Sequence, residues 1–193
     1  MRGLEKFLRQ HGYRVLNISY PSTRLPIEGI IDHIHPAIAR FMDGHEPPLH
    51  FVGYSMGGLV ARAYIHRYAP AKLGRVVQLA TPNHGSEVAD YLKDWPLYRW
   101  LYGPAGQQLV THFTDRNSLF GPVTYPLGIL AGDRSIDPFC GRVLPRPHDS
   151  KVTVASTRLE GMQMHRVLRS SHVFFPSNRQ VWKETVQFLK GGV

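Results

Sequence analysis

Gly53-Tyr54-Ser55-Met56-Gly57 lies between an apolar run and a run with helical spacing, and no other stretch of the 193-residue chain constrains the fold as much. The pattern G-x-S-x-G holds a serine on a strained turn that joins a strand to a helix. Such a turn packs strand, serine and helix backbone closely. A side chain at Gly53 or Gly57 is therefore expected to collide with neighbouring backbone. The motif is short, so its setting decides its worth. Leu49-His50-Phe51-Val52 ahead of it predicts a short buried strand, and Gly58 to Ile65 behind it predicts a helix with an apolar face.

The rest of the chain alternates in the same way. Residues 2 to 11 predict a helix with Leu4, Phe7 and Leu8 on one face, closed by Gly12. Tyr13 to Tyr20 predicts a strand ended by Pro21-Ser22-Thr23. Ile27, Ile30, Ile31, Ile34, Ile38 and Phe41 recur at helical spacing before the Asp43-Gly44 break. Further strands are predicted at Arg75 to Ala80, Thr124 to Ala131 and Met164 to Arg169, with a last helix over about 178 to 190. Alternating β and α elements predict a single α/β domain over residues 1–193, its mostly parallel, doubly wound sheet covered by helices on both faces.

Two segments interrupt the alternation. Residues 86–121 predict a helical, cap-like insertion. Its rings, Trp95, Tyr98, Trp100, Tyr102, Phe113 and Phe120, either shape an apolar pocket or pack an ordinary insertion. Gly132 to Ser150, rich in Pro and Gly, predicts a long loop over the carboxyl edge of the sheet, where loops tend to carry function.

Composition narrows the classes. No stretch reaches the length of an apolar transmembrane helix, and residues 1 to 9 carry charge throughout without the apolar core of a signal peptide. The lone Cys140 excludes an internal disulfide, gives no metal-binding pair and fits a reducing compartment. Cytoplasm is the default expectation, with a targeting segment ahead of residue 1 left open. The net charge of +9 favours anionic partners. The arginines are scattered and match no nucleic-acid module, so the expectation is no nucleic-acid partner and a weak attraction to anionic membrane surface.

A nucleophilic serine needs a base, and the base needs a carboxylate to fix its tautomer; with this motif they follow the serine in the order Asp/Glu, then His. Of 11 histidines, His172 stands out because Ser170-Ser171-His172 follows the last predicted strand and precedes the last helix. His84 and His165 are the runners-up, the first more naturally a loop residue and the second a strand residue. Two acids compete. Asp133 directly follows the strand ending at Ala131, and Asp149 ends the long loop before Val152-Thr153-Val154. Spacing does not separate them.

Gly53-Tyr54-Ser55-Met56-Gly57-Gly58, followed by Leu79-Ala80-Thr81-Pro82-Asn83-His84-Gly85-Ser86, resembles the bacterial lipase and GPI-inositol-deacylase-like branch of the α/β hydrolases. The T-P-x-x-G-S turn is the more specific match. The tail from Asp149 through Val154-Ala155-Ser156-Thr157 to Ser171-His172 is similar too, so the resemblance spans essentially the whole chain. It implies a serine hydrolase of carboxylic esters, with Ser55 as nucleophile, His172 as base, the Met56 N–H as one oxyanion donor, and no metal or organic cofactor. In that branch an N-D-G-x-V segment carries the acid, which selects Asp149. This chain departs from the pattern, with His148 and Ser150 in place of Asn and Gly.

The resemblance also implies a second oxyanion donor on a loop after an earlier apolar strand ending in His-Gly, and this chain contains no such segment. The expectation is an N-terminally truncated fold lacking at least one strand. Loss of one such donor typically costs on the order of a hundred- to a thousandfold in rate. The substrate class expected is a small-molecule or lipid ester. The same residues also serve an acyltransferase or thioesterase, and a non-catalytic remnant is the reading from another class.

Overall fold

A computed structural model describes residues 1–44, 46–86, 104–106, 108, 116–137 and 144–192. Its elements, in chain order, are α1 (Arg2–Gln10), α2 (Ile27–Met42), β1 (Leu49–Tyr54), α3 (Met56–Tyr68), β2 (Leu73–Leu79), α4 (Arg116–Phe120), β3 (Leu127–Gly132), α5 (Val154–Thr157), β4 (Met164–Leu168), a 3-10 turn (Phe175–Ser177) and α6 (Arg179–Leu189). The four strands form one parallel sheet in the order β1-β2-β3-β4. Each crossover carries helical or loop structure, as parallel pairing requires.

Alternate strand residues feed two cores. Val77, Leu79, Leu130, Met164 and Leu168 pack with Leu4 and Leu8 of α1 and with Val181, Val186 and Phe188 of α6. On the opposite face, the Ile27, Ile30, Ile31, Ile34 and Ile38 stripe of α2 meets Leu59, Val60, Ala63 and Tyr64 of α3, with Leu49 and Phe51 of β1 against it. A parallel sheet covered on both sides has apolar residues at nearly every central position. β3, LGILAG, is buried along its whole length.

The predicted helices and most strands are present. Thr124 to Pro126 stay outside β3, whose first residue is Leu127, and the Pro126 carbonyl accepts from Val76 N–H at 2.9 Å. The predicted strand at Tyr13 to Tyr20 is overturned, because the segment runs without helix or turn yet joins no ladder. Its side chains still divide as in a strand: Tyr13 and Val15 pack into the α1–α6 core, Ile18 and Tyr20 into the α2–α3 core. The segment therefore lies in the layer of the sheet but has no strand partner among the described residues. Of the insertion predicted at 86–121, Trp95, Tyr98, Trp100, Tyr102 and Phe113 lie outside the described residues, while Phe120 is buried in the α2–α3 core.

Candidate active site

Ser55 sits between β1 and α3 with φ 53° and ψ −127°, a sparsely populated conformation for a residue with a side chain. Two bonds hold it there. Its N–H donates to Leu79 O at 2.7 Å, extending the β1–β2 ladder by one residue, and its carbonyl accepts from Gly58 N–H at 3.0 Å. The strand and helix backbones touch behind the turn. A Cβ at Gly53 would lie 2.5 Å from Gly57 O, Gly58 Cα and Gly58 N, which forbids any side chain there. Gly57 corrects the sequence expectation, since beyond its own helix a Cβ would meet only the Tyr20 hydroxyl, at 3.4 Å. The second crowded glycine is Gly58, against Thr81.

Three of the predicted side chains meet. His172 Nδ1 is 2.8 Å from Asp149 Oδ2, and His172 Nε2 is 3.0 Å from Ser55 Oγ. A carboxylate only accepts, so Nδ1 carries the proton and donates to Asp149. The neutral ring's Nε2 then accepts from the Ser55 hydroxyl. Asp149 is 1% exposed and His172 9%. Met56 opens α3, and its N–H has no partner among the described residues; the free amides of a first helical turn favour negative charge beside them. Asp133 lies exposed past the end of β3, with its backbone N–H on Leu168 O at 3.3 Å, and makes no hydrogen bond to His172. His84 is exposed, and His165 stands in β4 with Nε2 2.9 Å from Thr157 Oγ1. Burial lowers the His165 pKa, with the Arg158 charge adding to the effect.

Asp149 is held by its own turn. Its Oδ1 accepts from Lys151 N–H at 3.0 Å and Val152 N–H at 2.8 Å, while its carbonyl accepts from His172 N–H at 2.8 Å. The departure from N-D-G does not change the turn. Ser150 takes φ 88°, the conformation a glycine would supply, and its Oγ accepts from Ile136 N–H at 2.8 Å. His148 Nδ1 accepts from Ser150 N–H at 3.2 Å, so the imidazole supplies an acceptor on the residue before the acid.

The Thr81–Ser86 turn braces this loop from the β2 side. Ser86 Oγ donates to Lys151 O at 2.9 Å, His84 N–H to Ser156 O at 3.0 Å, and Ser156 Oγ–H to Gly85 O. Asn83 Nδ2 donates to Gln78 Oε1 at 2.6 Å and Thr157 O at 2.8 Å, while its Oδ1 accepts from Arg62 at 3.1 Å. Gln78 in turn donates to Gly58 O at 3.2 Å. One buried polar network thus ties α3, β2 and α5 together behind the site. Sequence reasoning passed over Arg62 and Gln78, although a single arginine inside LVARAYI and a glutamine inside VVQLA are the kind of buried polar residue that demands partners. It also passed over Tyr54, whose hydroxyl donates to His172 O at 2.8 Å and whose ring lies 5.1 Å from the His172 ring.

No family model matches the chain, and no curated protein matches its sequence. Solved structures do. The mature form of Bacillus licheniformis lipase BlEst2 is similar at 18% identity and TM-score 0.83, over 96% of this chain and 83% of that one. Phospholipase PlaB from Legionella pneumophila is similar at 14% identity and TM-score 0.70, over 98% of this chain and 57% of PlaB. The metagenomic carboxyl esterase MGS0156 follows at 19% identity and TM-score 0.64, over 77% of this chain and 52% of that one. The chain thus spans little more than half the length of the last two. With a parallel sheet, helices on both faces and a serine turn at the end of its first strand, it has the α/β-hydrolase fold of bacterial lipases and esterases.

Proposed function

We propose that this chain is a serine hydrolase of carboxylic esters, lipase-like or esterase-like. The observation that carries the reading is the unbroken run from Asp149 Oδ2 to His172 Nδ1 and from His172 Nε2 to Ser55 Oγ, at 2.8 and 3.0 Å. In this reading Ser55 Oγ attacks the acyl carbonyl as His172 Nε2 takes its proton, and Asp149 keeps the imidazole in the receiving tautomer and stabilises the imidazolium. The Met56 N–H donates to the developing oxyanion at the start of α3. His172 then returns the proton to the departing alcohol, leaving an acyl ester on Ser55. Water, deprotonated by His172, releases the acid. An apolar acyl group is favoured by Val173 and Phe174, which directly follow His172 and are 63% and 59% exposed.

A fluorophosphonate probe tests this directly. The folded protein labels once at Ser55, labelling disappears in Ser55→Ala, and hydrolysis of nitrophenyl esters is lost with it. Absence of labelling in folded protein, or equal labelling of Ser55→Ala, overturns the reading in favour of a non-catalytic remnant.

A further inference from the structure

Tyr54, the last residue of β1, stands directly ahead of Ser55 in the serine turn. β2 and β3 lie between β1 and β4, the strand that leads to His172, so no ladder directly fixes the distance from Ser55 to the imidazole. The turn reaches His172 in two ways. Ser55 Oγ lies 3.0 Å from His172 Nε2, and the Tyr54 hydroxyl donates to His172 O at 2.8 Å. The Tyr54 ring also lies 5.1 Å from the imidazole.

The two bonds differ in when they exist. An esterified Ser55 Oγ has no proton to give Nε2, so the first bond is gone in an acyl-enzyme. The imidazole must still stand where it takes a proton from water beside the acyl carbon. Asp149 holds His172 Nδ1 through Oδ2 and His172 N–H through its carbonyl, each at 2.8 Å. Both of those bonds locate His172 against the Asp149 loop, not against the turn that bears the acyl group. The Tyr54 bond locates it against that turn. It uses no reacting atom, and one peptide bond separates Tyr54 from the acylated residue.

We infer that Tyr54 is a positioning residue for deacylation, its hydroxyl keeping His172 aligned with the acylated Ser55. This role rests on the serine-hydrolase reading above. In the step it serves, His172 Nε2 takes a proton from water as the water oxygen bonds to the acyl carbon. The tetrahedral intermediate then collapses, the bond from the acyl carbon to Ser55 Oγ breaks, and Nε2 returns its proton to Ser55 Oγ. Acylation depends less on the tyrosine, because the Ser55 hydroxyl is then itself bonded to Nε2. The fold does not need the phenol oxygen either. His172 O also accepts from Phe175 N–H at 3.1 Å, and the rest of the Tyr54 side chain packs against the α1–α6 core.

The test is burst and steady-state hydrolysis of a nitrophenyl ester by the full chain carrying Tyr54→Phe. Such esters acylate fast, so release of the acid limits turnover. The burst rate and fluorophosphonate labelling of Ser55 should stay within about twofold of the unsubstituted chain, while kcat and KM fall together by about 5- to 20-fold. Their ratio, kcat/KM, should therefore change by less than about twofold, and Tm by less than about 3 °C. Placing 4-aminophenylalanine at position 54 restores a donor on the same ring and should return kcat to within about threefold. An unchanged kcat in Tyr54→Phe overturns the inference. So does a loss in kcat/KM as large as that in kcat, which a merely structural role would give, and so does failure of 4-aminophenylalanine to restore kcat. An unsubstituted chain that the fluorophosphonate does not label overturns the hydrolase reading and this role with it. A labelled chain in which Tyr54→Phe turns over normally overturns this role alone.

Discussion

β3 and β1 belong to the same sheet, yet β3 is buried at every position while β1 buries only Gly53. The difference follows from neighbours. β3 pairs with β2 and β4 and is covered by the α1–α6 core and by packing around Val76 and Ile65. Among the described residues β1 pairs with β2 alone, and it borders a cavity. The candidate site straddles this divide. Asp149 and His172 rest on the closed half, braced by the Thr81–Ser86 turn and the Asn83 network. Ser55 rests at the end of the open strand, its backbone held by its own strained turn and the bond to Leu79. A serine position is thus specified locally, while the aspartate and histidine that face it are specified by a packed tertiary frame.

Four outcomes would sharpen or break that contrast. Asp149→Asn removes the acceptor that sets the His172 tautomer, and ester hydrolysis should fall about 10³- to 10⁴-fold with the fold retained. Asp133→Asn should stay within about twofold; steady-state kinetics of both variants decide between them, and an equal loss at Asp133 would remove Asp149 from its proposed role. Next comes the turn. Gly53→Ala drives a Cβ into backbone at 2.5 Å and should cost roughly 3 kcal/mol or more, whereas Gly57→Ala should stay within about 1 kcal/mol. Urea denaturation measures both.

Core truncation compares the strands themselves. Leu130→Ala in β3 empties a fully buried position and should cost about 2–5 kcal/mol, against about 1 kcal/mol or less for Val52→Ala in β1. Equal costs would mean that the open edge contributes as much as the closed half. The smallest effect is pH dependence. Burial lowers the pKa of His50, whose Nδ1 accepts from Arg75 N–H at 2.8 Å, below the ordinary 6.5. The unfolded chain then binds the proton first. Stability is complete above about pH 6.5 and declines as pH falls from there towards the folded value. His165 in β4 acts in the same direction. Melts from pH 8 to 5 should show the decline, and His50→Asn should flatten part of it.

Much of this was legible in the chain. Apolar periodicity located α1, α2, α3, α6 and the strands that pair, and G-x-S-x-G marked the turn because only glycine fits where Gly53 meets Gly58. Tyr13–Tyr20 carries the alternation of a strand and packs like one, but pairing requires a neighbour, which periodicity cannot supply. Gly57 looked obligatory from the motif, yet the crowding falls on Gly58, because Thr81 from the next loop approaches that residue instead. Tyr54, Arg62 and Gln78 act through partners 118, 21 and 20 residues away, distances at which sequence spacing carries no information.

The sequence by itself determined the class of fold and the position of the strained serine, because both depend on local conformation and short-range apolar pattern. It also narrowed the candidate base to His172, by its place between the last strand and the last helix. The tertiary structure decided which aspartate faces that histidine. Asp133 and Asp149 both lie in the loop at the carboxyl edge of the sheet, one at its start and one at its end, and only the packing of the Asp149 turn against Ser86, Ser156 and His172 N–H brings one carboxylate within 2.8 Å of the imidazole. The tertiary structure likewise decided that, among the described residues, the strand bearing Ser55 stands at an edge. That outcome depends on what pairs with β1, and pairing is a contact between distant segments.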